Sequence, residues 1–233
     1  MFQKLPVYLL SVGLSIGFVV ACGGTPTPSP TAVPVATTVQ QPLAEGARRF
    51  VVVPAESSAS YIVNEEFFAG ALAKYGINVG FNEVTGSTNE IAGELQLNVA
   101  DPQNALVRGE FTVNLPSLTT DQNQRDGWIR DNALQSNQFP VAQFVATAIQ
   151  NAPASYTDGS AVNFDLVGDL TVREITLPVT FAVTATLTAD TITGVATAPM
   201  QLTNFGFDPP SFANTLTVDN DFLLRIDLTA KEE

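Results

Sequence analysis

Four residues in one block, Ser117, Thr119, Asp121 and Asp126, put hydroxyls and carboxylates close enough in sequence for hydrolytic or acid-base chemistry. A second set, Asp219 and Asp221, offers a carboxylate pair of the kind that can serve as acid and base or hold a cation. Neither set is completed elsewhere. The chain has no histidine to act as general base, and its single cysteine, Cys22, lies far from both sets in sequence. Asp219 and Asp221 stand beside a turn without calcium-loop spacing, and solvated charge is the simpler account of them. These residue types argue against an enzyme, a metal protein or one with a resident cofactor, and toward binding.

Cys22 has a chemistry of its own. Residues 1–21 read as a secretory signal: Lys4, then an apolar run from Leu5 to Val20 that glycine and serine break too often for a membrane span. The run ends in Val19-Val20-Ala21-Cys22-Gly23, which resembles the lipobox of bacterial lipoproteins. A cysteine there takes a thioether-linked diacylglyceryl group before cleavage and becomes the new N-terminus. Its buried acyl chains contribute about 0.8 kcal/mol per methylene. A lone cysteine in an exported chain has no internal disulfide partner and needs another use, which favours lipidation over the alternative of an ordinary signal peptide with an incidental cysteine. Residues 22–43 then form a Pro/Thr-rich tether, with prolines at 26, 28, 30 and 34 favouring an extended chain. The expected location is extracytoplasmic, anchored by lipid to the cell membrane, in the periplasm or on the outer surface.

Residues 44–233 are long enough for one domain with a substantial core. The formal charge is −13, and loss of Lys4 with the signal makes it more negative, which excludes nucleic acid as a natural partner. The dominant period of the domain is two. Val107, Gly109, Phe111, Val113 and Leu115 share one face, and Leu95, Leu97 and Val99 repeat the pattern. So do Phe164 to Val172, Val179 to Leu187, and Phe222, Leu224, Ile226 and Leu228. Weaker strands are expected at Ala59 to Val63, Gly76 to Thr85, Gln143 to Ile149 and Thr191 to Gln201. With one apolar face per strand and no helix-sized apolar stripe to cover it, the sheet must close on itself or pair with another. The expectation is an all-β, single antiparallel barrel of eight strands, lipocalin-like in shape; a two-sheet sandwich is the alternative.

One segment, Thr120 to Phe139, leaves the two-residue rhythm and reads as a short helical lid, with Asp121 as N-cap and an end before Pro140. Alternation places Phe81, Leu95, Leu97, Phe111, Val113, Phe164, Leu166, Phe181, Val183, Leu224 and Ile226 inside the barrel, with Trp128 and Phe139 at its mouth. Gly93, Gly109 and Gly168 fall on strands where a missing side chain leaves room for a ligand to thread. Arg125 and Asp126 read as a charge pair that fixes the lid.

Three blocks, in order, resemble the YceI-like family. Leu115-Pro116-Ser117-Leu118-Thr119-Thr120 with Arg125-Asp126, Phe139-Pro140 and Phe144 is the first; Gly168-Asp169-Leu170-Thr171-Val172 with Pro178-Val179-Thr180 is the second; Phe205-Gly206-Phe207 is the third. Glu174 departs from the family's usual corner glycine, and Leu202-Thr203-Asn204 stands where arginine and aspartate are common. The resemblance implies a lipocalin-like barrel that binds polyisoprenoids and similar long apolar molecules. The function it implies is storage or transport of an isoprenoid quinone, polyprenyl lipid or fatty amide, held non-covalently, in a protein that could also form a homodimer. The competing reading is a structural or adhesive surface lipoprotein with a solid core and a protein partner.

Overall fold

The computed structural model describes residues 43–67, 80–212 and 216–233. The signal segment, Cys22 and the tether up to residue 42 lie outside the described residues, as do Gly76 to Val79 of one expected strand. The strands are β1 (Arg48–Val52), β2 (Ser58–Phe67), β3 (Gly80–Thr88), β4 (Ile91–Leu97), β5 (Leu106–Asn114) and β6 (Val141–Gln150), followed by β7 (Ala161–Val172), β8 (Ile175–Thr188), β9 (Thr191–Gln201), β10 (Ser211–Phe212) and β11 (Leu216–Glu232). The ring runs β1-β4-β5-β6-β7-β8-β9-β11 and returns to β1, all antiparallel. It is a closed eight-stranded barrel, the first of the two arrangements that alternation without covering helices allows. Its core and every ladder lie within the compact unit of residues 41–233.

Closure depends on one long strand serving two partners. Along one edge, β11 pairs with β1 only at Phe50↔Glu232, Val51↔Lys231 and Val52↔Ala230. Further along the same edge, Leu216 to Asp227 pair with β2. Between β1 and β2 the chain makes a single turn at Pro54–Glu56, where proline has no N–H to give a ladder. Buried Ser57 patches the break: its Oγ lies 2.8 Å from the Val53 carbonyl and accepts the Thr229 N–H at 3.0 Å. The hairpin of β2 and β3 extends the wall beyond the ring at one end.

Bulges set which side chains face in. Between β4 and β5 the register shifts after Gln96↔Arg108, so that Leu97 opposes Leu106 and Val107 is the extra residue. Val107 is 44% exposed, whereas strict alternation puts it on the inner face. A second bulge inserts Thr147 between Ala146 and Ala148 of β6. β1 and β10 were not expected: Arg48-Arg49 masks the first as a polar stretch, and the second is two residues long.

The lid forms from residues 115–139. Helix α1 (Asn123–Trp128) continues into a π-helical turn at Ile129–Ala133. Asp121 is not the N-cap; Gln122 holds that position and makes no side-chain cap. Instead, buried Asp126 reaches back to the Thr120 N–H at 2.8 Å and its Oγ1 at 2.7 Å. Thr119 exchanges backbone hydrogen bonds with Ser87 of β3, and Ser117 Oγ lies 2.6 Å from Thr88 Oγ1. Of the groups that looked capable of chemistry, the Ser117 hydroxyl ties the lid to the barrel, as does the Thr119 backbone, while Asp121 and Asp126 bond Arg125 and Thr120 within the lid. At the lid's far end, Arg173 Nη1 donates to the Ala133 carbonyl at 3.3 Å from the β7–β8 corner. Arg173, and not Glu174, takes the left-handed conformation there, with φ 58°.

Candidate functional site

The barrel encloses a cavity of about 820 Å³ that runs from the lid toward the opposite end. Ile149, Ala185, Ile192 and Leu228 line its depth, against a plug built on Phe50, which is fully buried. Trp128, Pro210, Phe212 and Leu216 line the lid end. There the Trp128 ring meets Phe212 edge to face, 5.7 Å between centroids. Along the wall, Phe144 packs edge to face on Phe181 at 5.1 Å, fixing a rigid aromatic surface.

Ten of the residues expected at the ligand site line this cavity: Leu95, Phe111, Val113, Trp128, Phe164, Leu166, Phe181, Val183, Leu224 and Ile226. Three do not. Phe81 is 73% exposed, because in β3 it is Val84, Gly86 and Thr88 that turn inward and Phe81 has the opposite parity. Leu97 faces inward but sits in the Phe50 plug, below the cavity. Phe139 is half-buried in the loop that leads into β6 and lies off the wall. The three strand glycines also leave no channel. A Cβ on Gly93 would fall 2.7 Å from the Phe111 ring, and one on Gly168 would fall 2.5 Å from the Phe144 ring. At Gly109 the space is taken by Leu95 and Ala146. Asp219 and Asp221 fall at the irregular stretch of β11 between Val218 and Phe222, off the cavity wall.

Sequence reasoning missed the polar end of the cavity. Among the described lining residues, Glu65 and Arg125 are the charged ones. Glu65 follows Ala59, Tyr61 and Val63 on the inner face of β2, where a carboxylate without a partner would be costly. Arg125 supplies that partner from the lid. Its Nε and Nη2 donate to the two oxygens of Glu65 at 3.1 Å each, a bidentate pair across 60 residues of sequence. Both side chains are withdrawn from solvent, at 12% exposure for Arg125 and 6% for Glu65. Arg125 Nη1 also donates to Asp121 and to Thr120 Oγ1. Desolvation works against the guanidinium's charge, and Asp121 and Glu65 outweigh it, so its pKa lies above the usual arginine value. Arg125 thus pairs with Glu65 and Asp121 and not, as expected, with Asp126, which bonds Thr120 instead; the Glu65–Arg125 pair holds the lid to β2 and forms part of the cavity wall.

Tyr61 completes this end. Its ring lies over Gly86, its ladder partner in β3, where a Cβ would fall 2.2 Å from the ring and 2.6 Å from the hydroxyl oxygen. Among the described residues, none hydrogen-bonds that hydroxyl. Burial pushes the phenol pKa up, and the charge of Asp126 pushes it further, so the group is a neutral donor at physiological pH. From the turn before Gly206, Leu202 and Phe205 also line the cavity, while Thr203 and Asn204 face solvent.

Comparison with known proteins agrees with this architecture. A UPF0312 protein of Shewanella baltica (strain OS185) is 28% identical over 127 residues, 53% of this chain and 61% of that protein. A UPF0312 protein of Shewanella oneidensis is 27% identical over the same length and shares. The chain thus spans 61% of the length of these curated relatives. Among solved structures, Burkholderia cenocepacia BcnA superposes with a TM-score of 0.58 at 17% identity, over 77% of this chain and 99% of that one. A polyisoprenoid binding domain from Saccharophagus degradans, implicated in plant cell wall breakdown, gives 0.55 at 11% identity, over 80% and 99%. Both share the fold. Residues 50–230 match the YceI-like domain, and the chain belongs to that family.

Proposed function

We propose that this protein is a lipid-anchored, extracytoplasmic binding protein that holds a long apolar chain inside its barrel for storage or transport. The observation that carries the reading is the cavity of about 820 Å³, whose wall is apolar except at the lid end. Its volume lies in the range of about 300–1,000 Å³ typical of small-molecule sites. Ten buried methylene-sized groups would contribute about 8 kcal/mol, enough for useful affinity without a charged contact. The polyisoprenoid binding domain from Saccharophagus degradans supports an isoprenoid chain, as in an isoprenoid quinone or polyprenyl lipid, and the apolar cavity would also take a fatty amide. A hollow barrel weighs against the solid-core, adhesive alternative.

The anchor and location rest on the sequence around Cys22, and Cys22→Ser should move the protein from the membrane to the soluble fraction. Unchanged membrane retention would refute the anchor. For the ligand, the test is mass spectrometry of solvent extracts from residues 44–233, exported into a bacterial envelope and purified without detergent. A stoichiometric long-chain lipid supports the reading. A clean extract, together with failure to take up added quinone or polyprenol, overturns it.

A further inference from the structure

A closed cavity opens where the residues that line it also meet solvent. Among the described lining residues the exposed ones are Gln122, Gln124 and Phe212. Gln122 and Gln124 stand at the start of α1, and Phe212 belongs to β10. Trp128, at the end of α1, reaches across to β10 by its edge-to-face contact with Phe212. The mouth therefore lies between α1 and β10. Its two sides are held unequally. The lid is fastened to several elements: Thr119 exchanges backbone hydrogen bonds with Ser87 at 2.9 and 3.1 Å, Ser117 meets Thr88, Arg125 grips Glu65, and the Leu115 N–H donates to the Pro140 carbonyl at 2.8 Å. β10 has a thinner hold. Beyond buried Phe205 the chain turns at Gly206, in the left-handed conformation, and runs through Pro209 and Pro210, which have no N–H to give a ladder. Among the described residues, its backbone grip on β11 is the Val218 N–H on the Pro210 carbonyl and the pairs Ser211↔Thr217 and Phe212↔Leu216.

We propose that the ligand enters and leaves through this mouth by displacement of β10 while the lid stays in place: β10 peels from β11, the chain flexes at Gly206, and the Phe212 ring comes off Trp128. The inference rests on the apolar-chain reading above and adds its route. Lifting the lid would break the buried Glu65–Arg125 pair and leave its carboxylate unpartnered in an apolar wall. Peeling β10 breaks a short ladder whose two residues, Ser211 and Phe212, already face solvent, so the freed backbone groups pass to water. The helical segment is then a fixed jamb, and the moving part is the two-residue strand that faces it.

The test uses residues 44–233, which hold no cysteine, so a pair introduced by substitution has only itself to bond. Ser211→Cys with Thr217→Cys pins β10 to β11: the two hydroxyls lie 3.5 Å apart on ladder partners, and neither residue lines the cavity. Thr88→Cys with Ser117→Cys pins the lid to β3, from hydroxyls 2.6 Å apart and again off the cavity wall. Uptake and release of a farnesyl benzoquinone are followed by stopped-flow quenching of Trp128, the only tryptophan, in oxidised and reduced protein. Closing the β10 disulfide should slow both rates by about tenfold or more and leave the affinity within about twofold, because a gate alters rates and not the equilibrium. Reduction should restore the parent rates, and the lid disulfide should change neither. Phe212→Ala, which needs no disulfide, should speed both. Unaltered rates with β10 pinned, slowed exchange with the lid pinned, or unaltered rates in Phe212→Ala would each overturn the route, while equilibrium binding of the quinone keeps the carrier reading. A protein that takes up neither quinone nor polyprenol in any form overturns both.

Discussion

Arg125→Met removes the guanidinium that joins the lid to β2 and leaves Glu65 as an unpaired carboxylate at the cavity wall. Breaking one side of a buried pair costs about 3–5 kcal/mol. The Glu65–Arg125 pair is withdrawn from bulk solvent, yet it borders a cavity that water can enter, so we take the lower end, about 3 kcal/mol. For a domain of this size each kcal/mol shifts the melting temperature by about 2–4 °C, which predicts a fall of about 6–12 °C. Glu65→Leu should cost less, because Arg125 then faces an apolar wall but keeps Asp121 and Thr120 as partners. The double variant, Glu65→Leu with Arg125→Met, should return most of the loss, since two apolar side chains replace two charges together. Urea denaturation of the four proteins gives the coupling energy directly. If both single variants stay within about 0.5 kcal/mol of the parent, the pair is solvated like a surface ion pair and the lid is held by other contacts.

Four further outcomes follow from the same geometry. Tyr61 should ionise later than ordinary tyrosines. Because its folded pKa is raised, its contribution to stability is complete below the unfolded value of about 10 and is lost as pH rises above it. An absorbance titration should therefore show a late phenol step that Tyr61→Phe removes. Glu110 is held below the usual carboxylate range by the Arg108 hydrogen bond and then by that of Gln143. Asp227 is lowered in the same way by Arg225. Their stabilisation is complete above the unfolded values and is lost as pH falls through the folded ones, so the urea midpoint should drop between pH 5 and 3, and drop less in Glu110→Gln. Phe50→Ala should destabilise by about 3–5 kcal/mol by melting the plug, measured by thermal unfolding. Phe81→Ser should be neutral within about 0.5 kcal/mol and leave ligand uptake intact; a larger effect on either would place Phe81 inside the barrel after all.

Much of the fold is legible in the alternation of the chain, and the residues show where that stops. β7 and β8 pair over their whole shared length without a bulge, so parity along them correctly put Phe164, Leu166, Phe181 and Val183 on the wall. Parity fails where the period slips: Phe81 belongs to a strand counted in the wrong phase, and Val107 is the residue a bulge adds. Alternation also says which face a side chain takes and nothing about its height along the barrel, which is why Leu97 reads as cavity and sits in the plug. The polar end was out of reach because Glu65 and Arg125 lie on different elements. Its one clue was Glu65, a carboxylate in phase with Val63 on an otherwise apolar face.

The ladder that closes the ring has a mechanical meaning. β1 meets β11 over three residue pairs, whereas β9 meets the same strand over eleven. β1 is also where the chain enters the barrel, so tension arriving along the N-terminal segment reaches the shortest ladder of the ring first. Unzipping there would open the wall at the Phe50 plug, the end opposite the lid. The arginines that hid this strand from a hydrophobic reading are its rivets. Across the seam Arg48 clasps Glu232 at 2.6 Å and Arg49 reaches Glu233 at 3.6 Å; Arg48 also donates to the Ala189 carbonyl at 2.5 Å, and on the other edge Arg49 clasps Glu94 of β4 at 2.8 Å. A protein held by its N-terminus would thus carry load across guanidinium clamps at the seam where its backbone grip is thinnest.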